Sequence, residues 1–375
     1  MYDIRTSVIM GLSLSIAAGI SGCTSREGPV DAALNPDCER LDVVDSIGKE
    51  FGDSLQMLGV ITDVAHHPSG GILVLDGSVN ELRLYSTSED AEVIAADGSG
   101  PSQLLEAKCM AVCGNRIVVA DEGKHGLLSY TLEGQYLDGD VPCGRFVPTT
   151  LVGREGGEFL AVLPSLEAGE NGVPVFTMTM GIFSDSVVPR DTCYYRRWSP
   201  PFDEVYILSE VFDVTTGMMG PAYICEDNTE YQIEIRSVCG DSIGEICLPD
   251  APRLPKTQEE IQSDIEEMNE SHRGDYFYEG DISPPSHHRL IDLAGVDSLE
   301  RLWVRNFAVE DSLHFDIWND EGELVAEAGL PWPDSRPPVI ASVDEGGLLL
   351  YTNQQADIVR LYLVSFAEAR QAPSN

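Results

Sequence analysis

The sequence predicts an all-β fold, a six-bladed β-propeller of four-stranded antiparallel blades carrying a short helical insertion. Three observations predict it. Ile72-Leu73-Val74-Leu75-Asp76, a polar turn at residues 77–80 and Glu81-Leu82-Arg83-Leu84-Tyr85 read as strand, turn and alternating strand. The phrase returns 45 residues later, matching Ile72 to Ile117, Asp76 to Asp121, Leu82 to Leu127 and Tyr85 to Tyr130. A fixed period of this length, with one such unit per repeat, marks a propeller blade. The third observation is the length available. Residues 38 to 371 number 334, and six units of 45 take 270 of them. The remainder holds an insertion at 250–290 and a long loop near 187–205, whereas seven units leave too little for both.

Composition narrows the function classes. At 43% hydrophobic residues the chain of 375 is too apolar to be disordered. It carries 63 acidic against 23 basic residues, a formal net charge of -40. Such a surface repels nucleic acid and anionic headgroups, so no nucleic-acid partner is expected. Screening by salt relieves the self-repulsion, and the acidity is read first as adaptation to a saline habitat.

Taken in order, Met1–Arg5 is short and weakly basic, Val8–Ile20 is an apolar run, and Ile20-Ser21-Gly22-Cys23 closes it. This resembles a bacterial lipoprotein signal peptide. The resemblance implies a signal over 1–22, lipid on Cys23 and, with Thr24 rather than aspartate next, an outer-membrane address reached by export across the inner membrane. Residues 23–37 read as a lipidated tether, 38–371 as the propeller and 372–375 as a tail.

Cys38–Val44 is a short strand suited to completing the last blade and pinning the ring shut. Blade one starts at Leu58, turns at Pro68-Ser69-Gly70-Gly71 and continues through Ile72–Leu75, a run without polar alternation that fits a strand buried on both faces. Blade two runs from Met110 to Leu137 and blade three from Pro148 to Met180. Residues 187–205 read as a long aromatic loop or a distorted outer strand, and blade four follows over 205–248. In the insertion, Thr257 with Glu260 three residues on is a capping box. Ile261, Ile265 and Met268 then lie on one face of a helix of about three turns. Blade five spans Arg289–Val325, with a hairpin turn at Asn319–Gly322. Blade six spans Val339–Val364, and Leu348 lies 45 after Trp303, so the period survives the insertion.

Asp63-Val64-Ala65 with Pro68 and Gly70-Gly71, Asn80-Glu81-Leu82-Arg83, Val119–Gly123 and Leu302–Arg305 carry a family resemblance over roughly 40–365. The chain resembles the six-bladed propeller lipoproteins of bacteria, relatives of the NHL-repeat propellers. The resemblance implies a fold and an envelope address but no reaction. His125-Gly126 departs from it, replacing an asparagine–arginine pair in blade two.

No nucleotide loop, HExxH, GxSxG or EF-hand pattern is present. Asp63 and His67 share strand parity toward the channel, which makes Asp63 the candidate metal ligand and His67 a candidate ligand-binding residue. The candidate ion is Ca2+ in the central channel, as in propeller lactonases and lyases. Trp303 and Arg305 on blade five are further candidates for ligand binding. Asp76 and Asp121 recur once per blade and are expected to cap their hairpin turns. His287 and His288 are adjacent in an extended stretch and point opposite ways. Cys38, Cys109, Cys113, Cys143, Cys193, Cys225, Cys239 and Cys247 are an even set in an expected oxidising compartment, hence disulfide candidates, with pairing undetermined. With no catalytic constellation visible, the expected function is an envelope-anchored binding module for a protein or glycan, without catalysis. The alternative is a metal-dependent hydrolase or lyase with its site in the central channel.

Overall fold

The computed structural model describes residues 38–50, 54–143, 146–168, 174–184, 189–198, 212–271, 284–309, 312–332, 338–352 and 358–366. The signal segment, Cys23 and the tether lie outside the described residues. Among the described residues no helix is long and apolar enough to cross a membrane.

The described residues are all-β apart from one helix and one helical turn, and their sheets are antiparallel meanders arranged as in a propeller. The first sheet is β2 (Ile61–His66), β3 (Ile72–Asp76), β4 (Glu81–Tyr85) and β5 (Ala91–Ala95). The second is β6 (Ala107–Cys113), β7 (Arg116–Asp121), β8 (Gly126–Thr131) and β9 (Tyr136–Pro142). The third is β10 (Thr150–Gly153), β11 (Phe159–Ala168), β12 (Pro174–Phe183) and β13 (Asp191–Trp198). Of the two readings of 187–205, an aromatic loop or a distorted outer strand, Asp191–Trp198 takes the second as β13, with a register shift against β12 at Met180/Gly181. The fourth is β14 (Asp213–Thr216), β15 (Ala222–Cys225), β16 (Gln232–Arg236) and β17 (Ser242–Cys247).

The last seven strands and the first form one closed set. It holds β18 (Ile291–Val296), β19 (Leu302–Asn306), β20 (Ser312–Trp318) and β21 (Leu324–Pro331). It also holds β22 (Val339–Asp344), β23 (Gly347–Thr352), β24 (Leu361–Phe366) and, from the other end of the chain, β1 (Glu39–Ile47). β1 runs antiparallel to β24, from Leu41↔Phe366 to Ile47↔Leu361. Two short parallel contacts close the set, β1 with β21 at Glu39↔Ala328 and Arg40↔Gly329, and β18 with β22 at Gly295↔Val343. Gly295 has φ +139, and a Cβ there would overlap the Val343 carbonyl oxygen, so this approach of two inner strands needs glycine.

The 45-residue repeat is a backbone repeat as well. Asn80 and His125, one period apart, both hold positive φ, +48 and +54. Asn and His are among the non-glycine residues enriched in that region, so His125 keeps the turn that asparagine makes in the first sheet. Asp76 accepts from the Ser78 amide at 3.0 Å, capping its own turn, and also from the Gly59 and Val60 amides at 3.1 and 3.2 Å. Asp121 does the same with Lys124, Leu105 and Glu106. Each buried carboxylate therefore ties the hairpin to the segment entering its sheet.

The core is a series of layers between neighbouring sheets. Leu73, Leu75 and Leu82 of the first sheet pack on Met110, Ile117 and Val119 of the second. Ile47, Val64, Val74 and Leu349 join the first sheet to the closing strands. The insertion forms helix α1 (Gln258–Ser271), capped by Thr257 N–H to Glu260 at 2.7 Å and Glu260 N–H to Thr257 Oγ1 at 3.2 Å.

The disulfide expectation is corrected. All eight described cysteines are free thiols. Cys109 and Cys113 lie on one strand, four residues apart, too far for a bond within it. With Cys193 and Cys225 they fill the layers between sheets as small apolar side chains.

Closure makes a direct prediction. Leu41 on β1 is fully buried in the layer with Phe315, Leu330 and Leu350. Leu41→Ala is expected to lower stability by about 2–5 kcal/mol, read from urea denaturation. A loss near that of an exposed site would show that β1 does not close the ring.

Candidate active site at the mouth of the central cavity

The first strand of every meander faces a common cavity of about 750 Å³, with walls from β2, β6, β10, β14, β18 and β22. Those strands run the same way, so their C-terminal ends and the turns after them form one mouth. At this mouth the first sheet meets the closing set. His66 ends β2 and Asp344 ends β22, and both line the cavity.

His66 Nδ1 and Asp344 Oδ1 are 2.6 Å apart. Asp344 Oδ2 accepts the His66 backbone N–H at 2.7 Å, and Oδ1 also accepts the Gly346 N–H at 2.8 Å. A Cβ on Gly346 would overlap the imidazole ring, so glycine there leaves space for His66. The ring is thus clamped on two sides. A carboxylate only accepts, so Nδ1 carries the proton and Nε2 the lone pair. Among the described residues no hydrogen bond to Nε2 is seen, and the ring is partly exposed.

The rim is acidic. Burial first, then Asp344, Glu300 and Glu155, push the Glu345 carboxyl above its usual range. These groups come from turns of three different sheets. Glu300 accepts from the Met219 and Gly220 amides at 3.2 and 3.1 Å, bracing the neighbouring turn.

Asp63 lines the cavity one turn of strand deeper, and both its oxygens accept backbone amides, Val64 at 2.8 Å and Met110 of the next sheet at 2.8 Å. Asp213 repeats the arrangement with Val214 at 2.8 Å and Leu293 at 2.6 Å. Enclosure by the ring of strands dominates at both, and pushes each up to about 7. His67 is buried with Nδ1 on Ser69 Oγ at 2.6 Å and Nε2 on the Leu132 carbonyl at 3.0 Å. Trp303 packs on Phe315 and Phe366 and donates to Asp297 at 2.9 Å. Arg305 donates to the Val339 carbonyl and lies over the Phe307 ring, and burial lowers it to about 10. Neither Trp303 nor Arg305 lines the cavity.

A second group of interest is His314, Asp316 and Glu327, whose ligand atoms lie within 4.8 Å of one another. It sits on the third and fourth strands of its meander, away from the cavity. No local motif in the sequence marks His314. Its partners follow from strand pairing, since Asp316 and Glu327 are opposite in the β20–β21 register.

No family model matches the chain, and no curated protein matches it. Solved structures do. A protein of Bacteroides fragilis, described as exported, aligns at TM-score 0.51 and 13% identity over 90% of this chain and 98% of its own. A gluconolactonase of Xanthomonas campestris aligns at TM-score 0.41 and 11% identity, over 82% of this chain and 87% of its own. A virginiamycin B lyase of Staphylococcus aureus aligns at TM-score 0.38 and 11% identity, over 88% and 89%. At these identities the likeness concerns the β-propeller fold alone. None of these three is described as an NHL-repeat protein or a lipoprotein, so that narrower kinship, with its lipoprotein signal and outer-membrane address, is not carried further.

The expectation of a binding module without catalysis is corrected by the site. An imidazole held by a carboxylate in a cavity wall, and a separate His–Asp–Glu group with metal-ligand chemistry, are the constellations the sequence reading found missing. The expectation that the chain is not an enzyme falls with it.

The buried carboxylates set a pH dependence. Asp63 and Asp213 titrate near 7 in the fold and near 4 unfolded. The fold holds their protons more tightly, so their contribution is full below about pH 4 and is lost as pH rises to about 7. The melting temperature is expected to fall between pH 5 and pH 8, and to fall less in the D63N/D213N double variant. An equal slope in both proteins would refute the assignment.

Proposed function

We propose that the chain is a hydrolase or lyase whose reaction takes place in the central cavity, with His66, oriented by Asp344, as its acid–base residue. The observation that carries this reading is the 2.6 Å contact between His66 Nδ1 and Asp344 Oδ1 in the cavity wall. The Nε2 lone pair takes a proton from a water, or from the substrate beside the bond to be broken. Asp344 stabilises the imidazolium so formed, which returns the proton to the leaving group.

The substrate class follows from the walls and the rim. Val64, Met110, Leu151 and Val214 give apolar walls, while Glu345, Glu300 and Glu155 surround the mouth with negative charge. Such a mouth repels anions, so a neutral or cationic ester or lactone with an apolar body fits best. The proposal keeps Ca2+ as cofactor. Glu345 is the rim glutamate that lines the cavity and can offer oxygens to a hard cation, whereas both oxygens of Asp63 and of Glu300 are committed to backbone amides. When bound, such an ion supplies charge to polarise a carbonyl oxygen.

The proposal also includes the architecture. The closed set of eight strands divides at its parallel contacts into β18–β21 and β22–β24 with β1. Counted as two blades beside the four separate sheets, they give six, in keeping with the six hydrophobic layers between meanders.

The test is turnover of a panel of neutral lactones and esters by the full chain, with and without Ca2+. His66→Ala is expected to lower kcat/KM by roughly 10²–10⁴-fold, the range for losing a general base, with Asp344→Asn lowering it as well. Undiminished turnover by His66→Ala, or no turnover of any panel member, would overturn the proposal.

A further inference from the structure

We infer that His314, Asp316, Glu327 and Cys38 form a site for a borderline transition metal such as zinc, and that the site fastens the N-terminal strand to the neighbouring sheet. His314 and Asp316 are two apart on β20 and therefore share a face. Glu327 on β21 stands opposite Asp316. Side chains opposite one another in a sheet lie on the same face. The His314 Nε2 is 3.2 Å from Asp316 Oδ1 and 3.9 Å from Glu327 Oε2, so the three donors converge.

Cys38 completes the set. It precedes Glu39, which pairs in parallel with Ala328, so Cys38 stands beside Glu327 and on its face. Its thiol lies 3.8 Å from the Glu39 carbonyl oxygen, outside the 4.8 Å convergence of the other three donors, and would reach them by a change of side-chain rotamer. One imidazole, two carboxylates and one thiolate make a four-donor set of the kind zinc takes, and a poor one for calcium.

The surroundings orient these donors. Asp316 Oδ2 accepts from Tyr231 Oη at 2.6 Å and from Asn306 Nδ2 at 3.0 Å. Trp318 Nε1 in turn donates to Tyr231 Oη at 3.0 Å. Two residues from two sheets thus hold one oxygen, one of them fixed in turn by Trp318, and leave Oδ1 aimed at the common centre, as outer-sphere partners do in metal sites. His314 and Asp316 are buried, while Glu327 is partly exposed and gives an entry path.

Binding would release the Cys38 proton to solvent and join β1 to β20 and β21. Without the ion, β1 meets β21 at only two residue pairs. The site lies outside the cavity and does not depend on the proposed reaction, so the test reads binding and stability, not turnover.

The experiment titrates zinc into the metal-stripped full chain by calorimetry, with calcium in excess to occupy surface carboxylates, and follows melting in parallel. One zinc per chain and a raised melting temperature are expected. Glu327→Gln and Cys38→Ser are each expected to weaken binding by at least the roughly 10–100-fold that loss of an outer-sphere partner costs. Cobalt in place of zinc is expected to show a thiolate charge-transfer band that Cys38→Ser removes. Equal zinc binding by the wild type and Glu327→Gln, or none by either, would overturn the site. Wild-type binding and melting in Cys38→Ser would overturn the fastening of β1.

Discussion

The structure depends on one act of pairing, that of β1 with β24. Sheets radiating about an axis have two problems that no single sheet can solve. The layer between the first and last sheets must be filled, and the last sheet must not end in an unpaired edge. β1 meets both needs. It adds the outer strand beside β24, and Ile47 reaches the layer shared with β2 and β3. Every other layer joins meanders that are consecutive in sequence. This one joins the two ends of the chain, so the rest of the ring is held in place by it.

The candidate site inherits that dependence. His66 belongs to the first sheet and Asp344 to the closing set, 278 residues apart in sequence. Their contact crosses the seam that β1 holds shut. The carboxylates of the rim also come from separate turns, Glu155 after β10, Glu300 before β19 and Glu345 before β23. A mouth assembled this way is rigid because each group stands at the end of a strand in a packed sheet. Gly346 and Gly295 show how closely those ends approach, since neither position has room for a methyl group.

Much of the fold was legible because a propeller repeats itself. Asp76 and Asp121 at one interval, the all-apolar strands Ile72–Leu75 and Ile117–Ala120, and the capping box at Thr257 are local signals, and the structure has a strand, turn or cap at each. The site was not legible for the opposite reason. A residue that repeats in every blade serves the blade, while His66 and Asp344 occur once each and meet only through the ring. A local signal for His66 existed, a histidine beside a strand-ending Pro68-Ser69-Gly70 turn, but its partner had none. The same limit explains the cysteines. An even number suggested pairing, yet the thiols are free and the four buried ones, Cys109, Cys113, Cys193 and Cys225, fill the layers between sheets.

The seam has a consequence for how the chain is made. Leu41 pairs with Phe366, about 320 residues later. At a synthesis rate of about 5–20 residues per second, the first strand waits roughly 15–60 s for its partner. Throughout that interval β1 lacks its long antiparallel partner, with Leu41 and Ile47 uncovered, while the intervening sheets can already fold one on the next. Until β24 is made, the layer between the first and last sheets is incomplete. A truncated product that stops short of β24 would leave β1 without its antiparallel partner and the layer that Ile47 shares with Leu361 incomplete.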